Sequence, residues 1–259
     1  MKKFKLTNDN YYSQKANQKY FSVSQLKDFL KCEAYAMAKI NGEWVEPPTT
    51  PMLIGSYVDS FFERTLEDFK ARTPEIFKKD GTLKSDYIKA EKIIDRVLKD
   101  DFFMTCMSGE KQVIMTGEIF GAKWKIKMDS YIPDEAIVDL KVVQKLRDVT
   151  YKNGWKQSFI EKWGYDLQLA VYREIVRQNT GKILPCIIAA IDKQDYPDLD
   201  CILIPDDQLN FQLEQLRWQM PHIISVKCGE IEPMRCGHCD YCRATKKLER
   251  LILPNELII

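Results

Sequence analysis

From Ile137 to Val143 the chain reads IVDLKVV, an apolar run that predicts a strand yet carries Asp139 and Lys141 two residues apart. Alternate residues of a strand share a face, so this carboxylate and ammonium stand side by side. Val138, Leu140 and Val142 point the other way, as a buried sheet face does. An aspartate is rarely fully buried unless it is paired or binds a metal. The segment by itself leaves two readings open: an acid–base pair on an edge strand, or a metal ligand beside a catalytic lysine.

The preceding residues, in KMDSYIPDEAIVDLK, narrow the choice. Pro133, Asp134 and Glu135 are turn formers. A hairpin centred near Asp134 sets Asp129 opposite Asp139 and Lys127 opposite Lys141. It also puts Trp124, Ile126 and Met128 on one face with Val138, Leu140 and Val142, and agreement between apolar faces is what selects a register. Directly opposed side chains lie about 5 Å apart at Cβ, so the two carboxylates repel unless a cation lies between them. Lys127 and Lys141 could do this in a structural network. A divalent ion does it better, because hard oxygen ligands suit Mg²⁺ or Mn²⁺. The metal reading takes the lead.

Around this hairpin the pattern predicts a central mixed sheet flanked by helices, an α/β (α+β) fold in a single domain over residues 1–259. SVSQLKDFLKCEAYAMAKING predicts one helix, capped by Ser24 and ended by Asn41-Gly42. MLIGSYVDSFFERTLEDF predicts a second, with Leu53, Tyr57, Val58, Phe61 and Phe62 inward. Asp59 and Glu63 share another face of it, which read in isolation is a solvated acidic face. SDYIKAEKIIDRVLKDDFF predicts a third, more exposed helix. Two strands joined near Gly121 and the Asp139 strand follow, then one long helix, QSFIEKWGYDLQLAVYREIVRQ. On it Gln168 and Tyr172 are four apart and share a face, a spacing usually seen in a plain interfacial pair. Strands ILPCIIAAID and DLDCILIP and the helix DQLNFQLEQLRWQMPHIISV complete the pattern.

A net charge of +1 rules out a global basic field, so any nucleic-acid surface has to be local. KLRDVTYKNGWKQ offers one, with Lys145, Arg147, Lys152 and Lys156 interleaved with Tyr151 and Trp155. That mixture suits phosphate tracking and base stacking, or else forms a solvated loop with one packed tryptophan. No apolar run approaches membrane-spanning length, and MKKFKLTNDNYYSQK lacks a signal peptide's apolar stretch. A reducing cytoplasm is therefore expected, and the cysteines are not read as a disulfide framework. Cys106, Cys186 and Cys201 sit singly in apolar surroundings, as core residues do. Cys236, Cys239 and Cys242, in CGHCDYC, signal a metal, with Cys228 just upstream.

Taken in order, these pieces resemble the RecB-like branch of the PD-(D/E)XK nuclease superfamily. That branch shows a helical Gly-x-x-x-His, a strand aspartate, Asp-x-Lys on the next strand, and Gln-x-x-x-Tyr on a helix. The matching residues are Gly55 to Asp59, Asp129, Asp139 with Lys141, and Gln168 with Tyr172. One departure stands out: Asp59 occupies the histidine position, and His222 and His238 lie far away in sequence. The resemblance runs from about Ser22 to Arg243 and is strongest to phage- and prophage-encoded recombination exonucleases related to exonuclease VIII.

It implies a nuclease core over 111–205, a helical part over 22–110, and a C-terminal helix with a cysteine metal segment over 206–259. Asp129 and Asp139 would hold Mg²⁺ or Mn²⁺, with Asp59 a third ligand and the carbonyl of Leu140 or Lys141 a further one. Lys141 would orient or deprotonate the attacking water, with Gln168 and Tyr172 positioning it. Glu118 would be a more distant ligand or an ordinary exposed acid. Some members of the branch carry a [4Fe–4S] cluster, for which Cys32 would join Cys236, Cys239 and Cys242. Structural Zn²⁺ is the alternative, and there Cys228 or His238 could replace Cys32. The implied activity is a metal-dependent DNA exonuclease, cytoplasmic in a bacterium or encoded by a phage, with a single-strand annealing protein as partner. The competing expectation is a DNA-binding module of the same fold without turnover.

Overall fold

The computed structural model describes residues 4–248 and 250–257. Its first helices are α1 (Gln14–Lys19), α2 (Val23–Lys31) and α3 (Glu33–Asn41). The sequence pattern predicts a single helix over the last two, but the chain breaks at Cys32, which is extended at φ −168° and ψ 116°. The cap is Ser22, whose Oγ accepts the Gln25 N–H at 3.3 Å; Ser24 instead lies beside the Ser22 hydroxyl. A one-residue break hardly disturbs a 3.6-residue apolar period, so it is invisible to periodicity.

The next two predicted helices are also each divided. α4 (Thr50–Phe62) and α5 (Leu66–Arg72) are separated around Arg64, which has a positive φ of 60°. α6 (Ser85–Val97) and α7 (Asp101–Cys106) follow. α6 is not the exposed helix its charges imply, because Tyr87, Ala90, Ile93, Ile94 and Val97 make a fully buried stripe.

β1 (Val113–Ile119) and β2 (Ala122–Met128) form a hairpin around Phe120-Gly121, both at positive φ as a type I′ turn requires. β3 (Ser130–Ile132) and β4 (Ala136–Val143) pair antiparallel with Ile132 opposite Ala136, so this second hairpin is centred on Asp134. The expected register therefore holds through Ser130, which faces Val138. It does not extend to Lys127, because β2 leaves to pair with β1. The chain steps at Asp129 and changes face. Trp124, Ile126 and Met128 consequently join one core, while Val138 and Leu140 join the other.

A small hairpin, β5 (Thr150–Lys152) and β6 (Trp155–Gln157), leads to α8 (Phe159–Trp163) and α9 (Tyr165–Thr180). The predicted single helix is divided here by Gly164, at φ 59°, a conformation glycine adopts without strain. β7 (Cys186–Asp192), β8 (Leu199–Ile204), α10 (Asp206–Lys227) and α11 (Asp240–Ala244) complete the chain. The central sheet has the order β3-β4-β7-β8, with β4 and β7 parallel and the other pairs antiparallel. One face packs on α2, α9 and α10, and the other on α4, α6 and α7, giving a mixed α/β sandwich. Among the described residues no helix is long and apolar enough to cross a membrane.

Candidate active site and cysteine cluster

Asp139 and Lys141 leave β4 on the side facing α9, in step with Ile137. Asp129 arrives from the step between β2 and β3, and its Oδ2 accepts the Leu140 N–H at 2.9 Å. A carboxylate thus replaces the backbone carbonyl that a continuous strand would offer. Asp139 is buried, and its Oδ1 accepts from Gln168 Nε2 at 2.6 Å. Its Oδ2 lies against the Lys141 ammonium but receives no hydrogen bond of acceptable angle. Lys141 Nζ donates to the Leu140 carbonyl at 3.2 Å. The Tyr172 hydroxyl, one turn after Gln168, donates to the Lys127 carbonyl at 3.1 Å and so ties α9 to the end of β2. Asp59 and Glu63, on and just beyond α4, face the same polar cleft of about 500 Å³. Glu118 does not: its strand end hydrogen-bonds Gln178, and it lines a separate surface hollow.

The electrostatics follow from three carboxylates sharing one half-buried space. Burial, then the charge of Asp139, pushes the Asp129 carboxyl up to about 7 against the pull of Lys141 and the Leu140 N–H. Asp59 is raised well above the carboxylate range by burial and then by Asp129. Burial by itself would lower the Lys141 ammonium, but Asp139 and then Asp129 outweigh it and hold it above its ordinary value.

These groups fit a hard divalent cation. Two facing aspartates, one with an oxygen lacking a directed hydrogen bond, are the kind of donor set that takes Mg²⁺ with water and substrate filling its remaining positions. Among the described residues no three carboxylates bring an oxygen each within 4.8 Å of one another, so Asp59, Asp129 and Asp139 do not form a closed three-ligand set.

The raised Asp129 carboxyl predicts a testable stability effect. Its folded value near 7 exceeds the ordinary 3.8, so between these values the folded chain binds a proton that the unfolded chain has released. The resulting destabilisation is absent below about 4, grows as pH rises, and is complete above about 7. Asp129→Asn keeps an acceptor for Leu140 and removes the charge. It should stabilise metal-free protein at pH 8 by on the order of 2 kcal/mol, roughly 4–8 °C in Tm, and flatten the dependence of Tm on pH between about 4 and 7. An unchanged or lower Tm at pH 8 would contradict the assigned electrostatics.

Several neighbours of the site carry no signal in the sequence pattern. The Tyr165 ring has two ammonium groups against it, Lys141 Nζ at 5.0 Å from its centroid and Lys27 Nζ at 5.2 Å. Burial and then Lys141 lower Lys27 to about 8. The β5–β6 hairpin did have a signal, Asn153-Gly154, whose residues take φ of 51° and 82°. Its Tyr151 and Trp155 are both exposed, so the alternative of a packed tryptophan is incorrect.

The break at Cys32 presents that thiol to the C-terminal cysteines. Cys32, Cys236, Cys239 and Cys242 bring their sulfurs within 4.8 Å of one another. Successive backbone N–H groups support them: Cys236 to Cys32 Sγ at 3.5 Å, Cys239 to Cys236 Sγ at 3.3 Å, and Cys242 to Cys239 Sγ at 3.4 Å. The His238 N–H and then other donors draw the Cys236 thiol down to about 6, a thiolate ready to bind metal. Cys228 and His238 lie outside this group, so neither replaces Cys32. Two of the six sulfur separations, 3.6 and 4.0 Å, are near the roughly 3.8 Å edge of a tetrahedron built on metal–sulfur bonds of about 2.3 Å, and all six lie within 4.8 Å. A cubane cluster would need the thiolates further apart, because its own edges lie between them.

A family model described as a PDDEXK-like domain of unknown function (DUF3799) matches residues 22–245. The chain belongs to this PDDEXK-like family. A crystal structure from Eubacterium rectale, named "Putative exonuclease", is 51% identical, with 98% of each chain covered and a TM-score of 0.96. Another solved structure, SSO0001, is 15% identical over 77% of this chain and 93% of that one, but its TM-score of 0.28 supports no comparison. No curated protein matches.

Proposed function

We propose that this family member is a metal-dependent deoxyribonuclease that hydrolyses phosphodiester bonds from the ends of linear DNA. The observation that carries the reading is the convergence of Asp129, Asp139, Lys141 and Gln168 from a strand step, a strand and a helix into one polar cleft. Mg²⁺ or Mn²⁺ held by Asp129 and Asp139, with Asp59 and the Leu140 carbonyl as further ligands, would polarise the scissile phosphate and acidify bound water. The chain's own groups position everything else. Gln168 fixes the Asp139 rotamer and the Leu140 N–H fixes Asp129, so neither must reorganise during the reaction. The Lys141 ammonium offers a donor to the attacking water and a positive charge where negative charge develops on the phosphate. Tyr172 keeps α9 in place against β2.

The exonuclease sense is supported by the name of the 51% identical structure. A role in phage or prophage recombination or repair, an annealing-protein partner and a bacterial cytoplasmic setting rest on the resemblance of the motifs. The cysteines form a metal staple in this reading. Their sulfur spacing favours a single tetrahedral Zn²⁺ and the resemblance implies [4Fe–4S], a choice that iron, sulfide and zinc content decides. A DNA-binding module without turnover is favoured only by Asp59 at the histidine position.

The distinguishing experiment compares linear with covalently closed duplex DNA in Mg²⁺ and in Mn²⁺. Linear DNA should be degraded, closed circles should survive, and chelation should stop the reaction. Cleavage of the circles would make the protein an endonuclease. Binding of the linear DNA without cleavage in either metal would favour the module.

A further inference from the structure

Residues 4–21 precede the stretch that the family model matches, yet two of them, Tyr11 and Tyr12, wall the cleft. They are anchored by a lysine of β2. Lys125 is 1% exposed; its ammonium donates to the Tyr11 carbonyl and, at 2.7 Å, to Asn17 Oδ1. The same ammonium lies 4.4 Å from the centroid of the Tyr11 ring, and the Tyr11 hydroxyl reaches the Lys125 carbonyl at 3.4 Å. A buried cation satisfied only by this segment holds it firmly, because unbinding the segment would leave the charge without partners.

Fixing Tyr11 places Tyr12 at the mouth of the cleft. Tyr12 is 69% exposed and stands edge-on to Tyr11 at 5.0 Å. Lys127 Nζ lies 4.7 Å from the Tyr12 centroid and 5.5 Å from that of Tyr11. Among the described residues, no carboxylate lies within ion-pairing distance of this ammonium, although Glu63 shares the cleft. An exposed aromatic face next to an ammonium that no carboxylate contacts is the pairing with which single-stranded nucleic acid is held: the ring takes a base and the cation a phosphate. Lys127 adds to the positive charge of Lys141 in a cleft where Asp59, Asp129 and Asp139 repel a polyanion.

We propose that the N-terminal arm is a substrate clamp, in which Tyr12 stacks on a base of the bound strand and Lys127 takes a phosphate next to the scissile one. This rests on the nuclease reading above and adds the positioning residues that reading lacks. It assigns Tyr12 and Lys127 to holding the strand, with no part in bond cleavage, so their loss should appear in KM and leave kcat nearly unchanged.

The test uses short single-stranded DNA in Mg²⁺, either intact or with one abasic nucleotide moved stepwise from the end. Tyr12→Ala should raise KM about tenfold, within the range for losing one base–aromatic stack, and Tyr12→Phe should restore it. An abasic nucleotide at one position should cost the wild type the same factor and cost Tyr12→Ala nothing further. Lys127→Gln should raise KM for every oligonucleotide and reduce the salt slope by about one. If wild-type protein cleaves but Tyr12→Ala matches it, the clamp is wrong and the nuclease stands. A lowered melting temperature, with KM losses indifferent to the abasic position, would make Tyr12 a structural prop and also overturn the clamp. If wild-type protein degrades linear duplex DNA but neither cleaves nor binds these strands, the clamp is wrong and the nuclease stands; if it degrades neither, the nuclease reading falls as well.

Discussion

Asp139→Asn is expected to lose DNA cleavage by about 10³-fold or more while folding as well as the wild type. The substitution is chosen for what it retains. The introduced carboxamide keeps an oxygen for the Gln168 amide, which in the wild type donates to Asp139 Oδ1 at 2.6 Å, so α9 stays docked on β4. It removes one of two carboxylates that repel each other, and Lys141 keeps Asp129 as a neighbouring charge. Stability should therefore change little, and the loss reports the site. Lys141→Met is the complementary variant. It keeps the aliphatic stem beside Tyr165 and deletes the charge, for an expected loss of about 10²–10³-fold in kcat. The pair should be far from additive, because each change disables the same unit. Retention of a tenth of wild-type activity by Asp139→Asn would move the catalytic centre elsewhere.

The part of this site that could be read in advance is the part encoded in adjacent residues. Turn chemistry at Pro133–Glu135 and alternation along β4 together centre the hairpin on Asp134, and the structure has that centre. The three clustered cysteines were equally plain. What could not be read is where a regular pattern is interrupted for one residue. Cys32, Arg64 and Gly164 each split a predicted helix, and in each case apolar residues continue on the same face beyond the break. The step at Asp129 is hidden for a related reason. Period two carries on from Met128 to Ser130, but the partner strand changes from β1 to β4, so the side-chain faces of the two halves no longer correspond.

Three of these interruptions coincide with function in the proposed reading. Cys32 turns a thiol toward the C-terminal loop, Gly164 sets Tyr165 against Lys141, and the Asp129 step exchanges a backbone acceptor for a carboxylate. A continuous helix or strand at these three positions would satisfy its own backbone hydrogen bonds and turn Cys32, Tyr165 and Asp129 elsewhere. Local regularity is lost where a side chain has to be presented, which is why propensity fails at these residues and not along the buried stripe of α9.

Cys239→Ser is expected to lower the melting temperature by roughly 10–20 °C and to strip the bound metal. Cys239 is also the N-cap of α11, its Sγ accepting the Cys242 N–H at 3.4 Å. Serine is a good N-cap, so the helix loses nothing by the change and any destabilisation reports the metal link. That link joins Cys32 to Cys236, which are 204 residues apart. Constraining so long a loop lowers the entropy of the unfolded chain by an amount worth about 5 kcal/mol. The remaining contacts across the same seam are modest: Ala34 N–H to the Met234 carbonyl at 3.1 Å, and Glu33 bridging the Met234 N–H at 2.8 Å and His222 at 2.7 Å. Surface bonds of this kind contribute far less than a closed covalent loop. Metal content measured on anaerobically purified wild type and variant completes the test. Zinc near one per chain would follow from the sulfur spacing, whereas iron with matching sulfide would show that the thiolates move apart around a cluster. An unchanged melting temperature together with unchanged metal content in Cys239→Ser would remove the staple altogether.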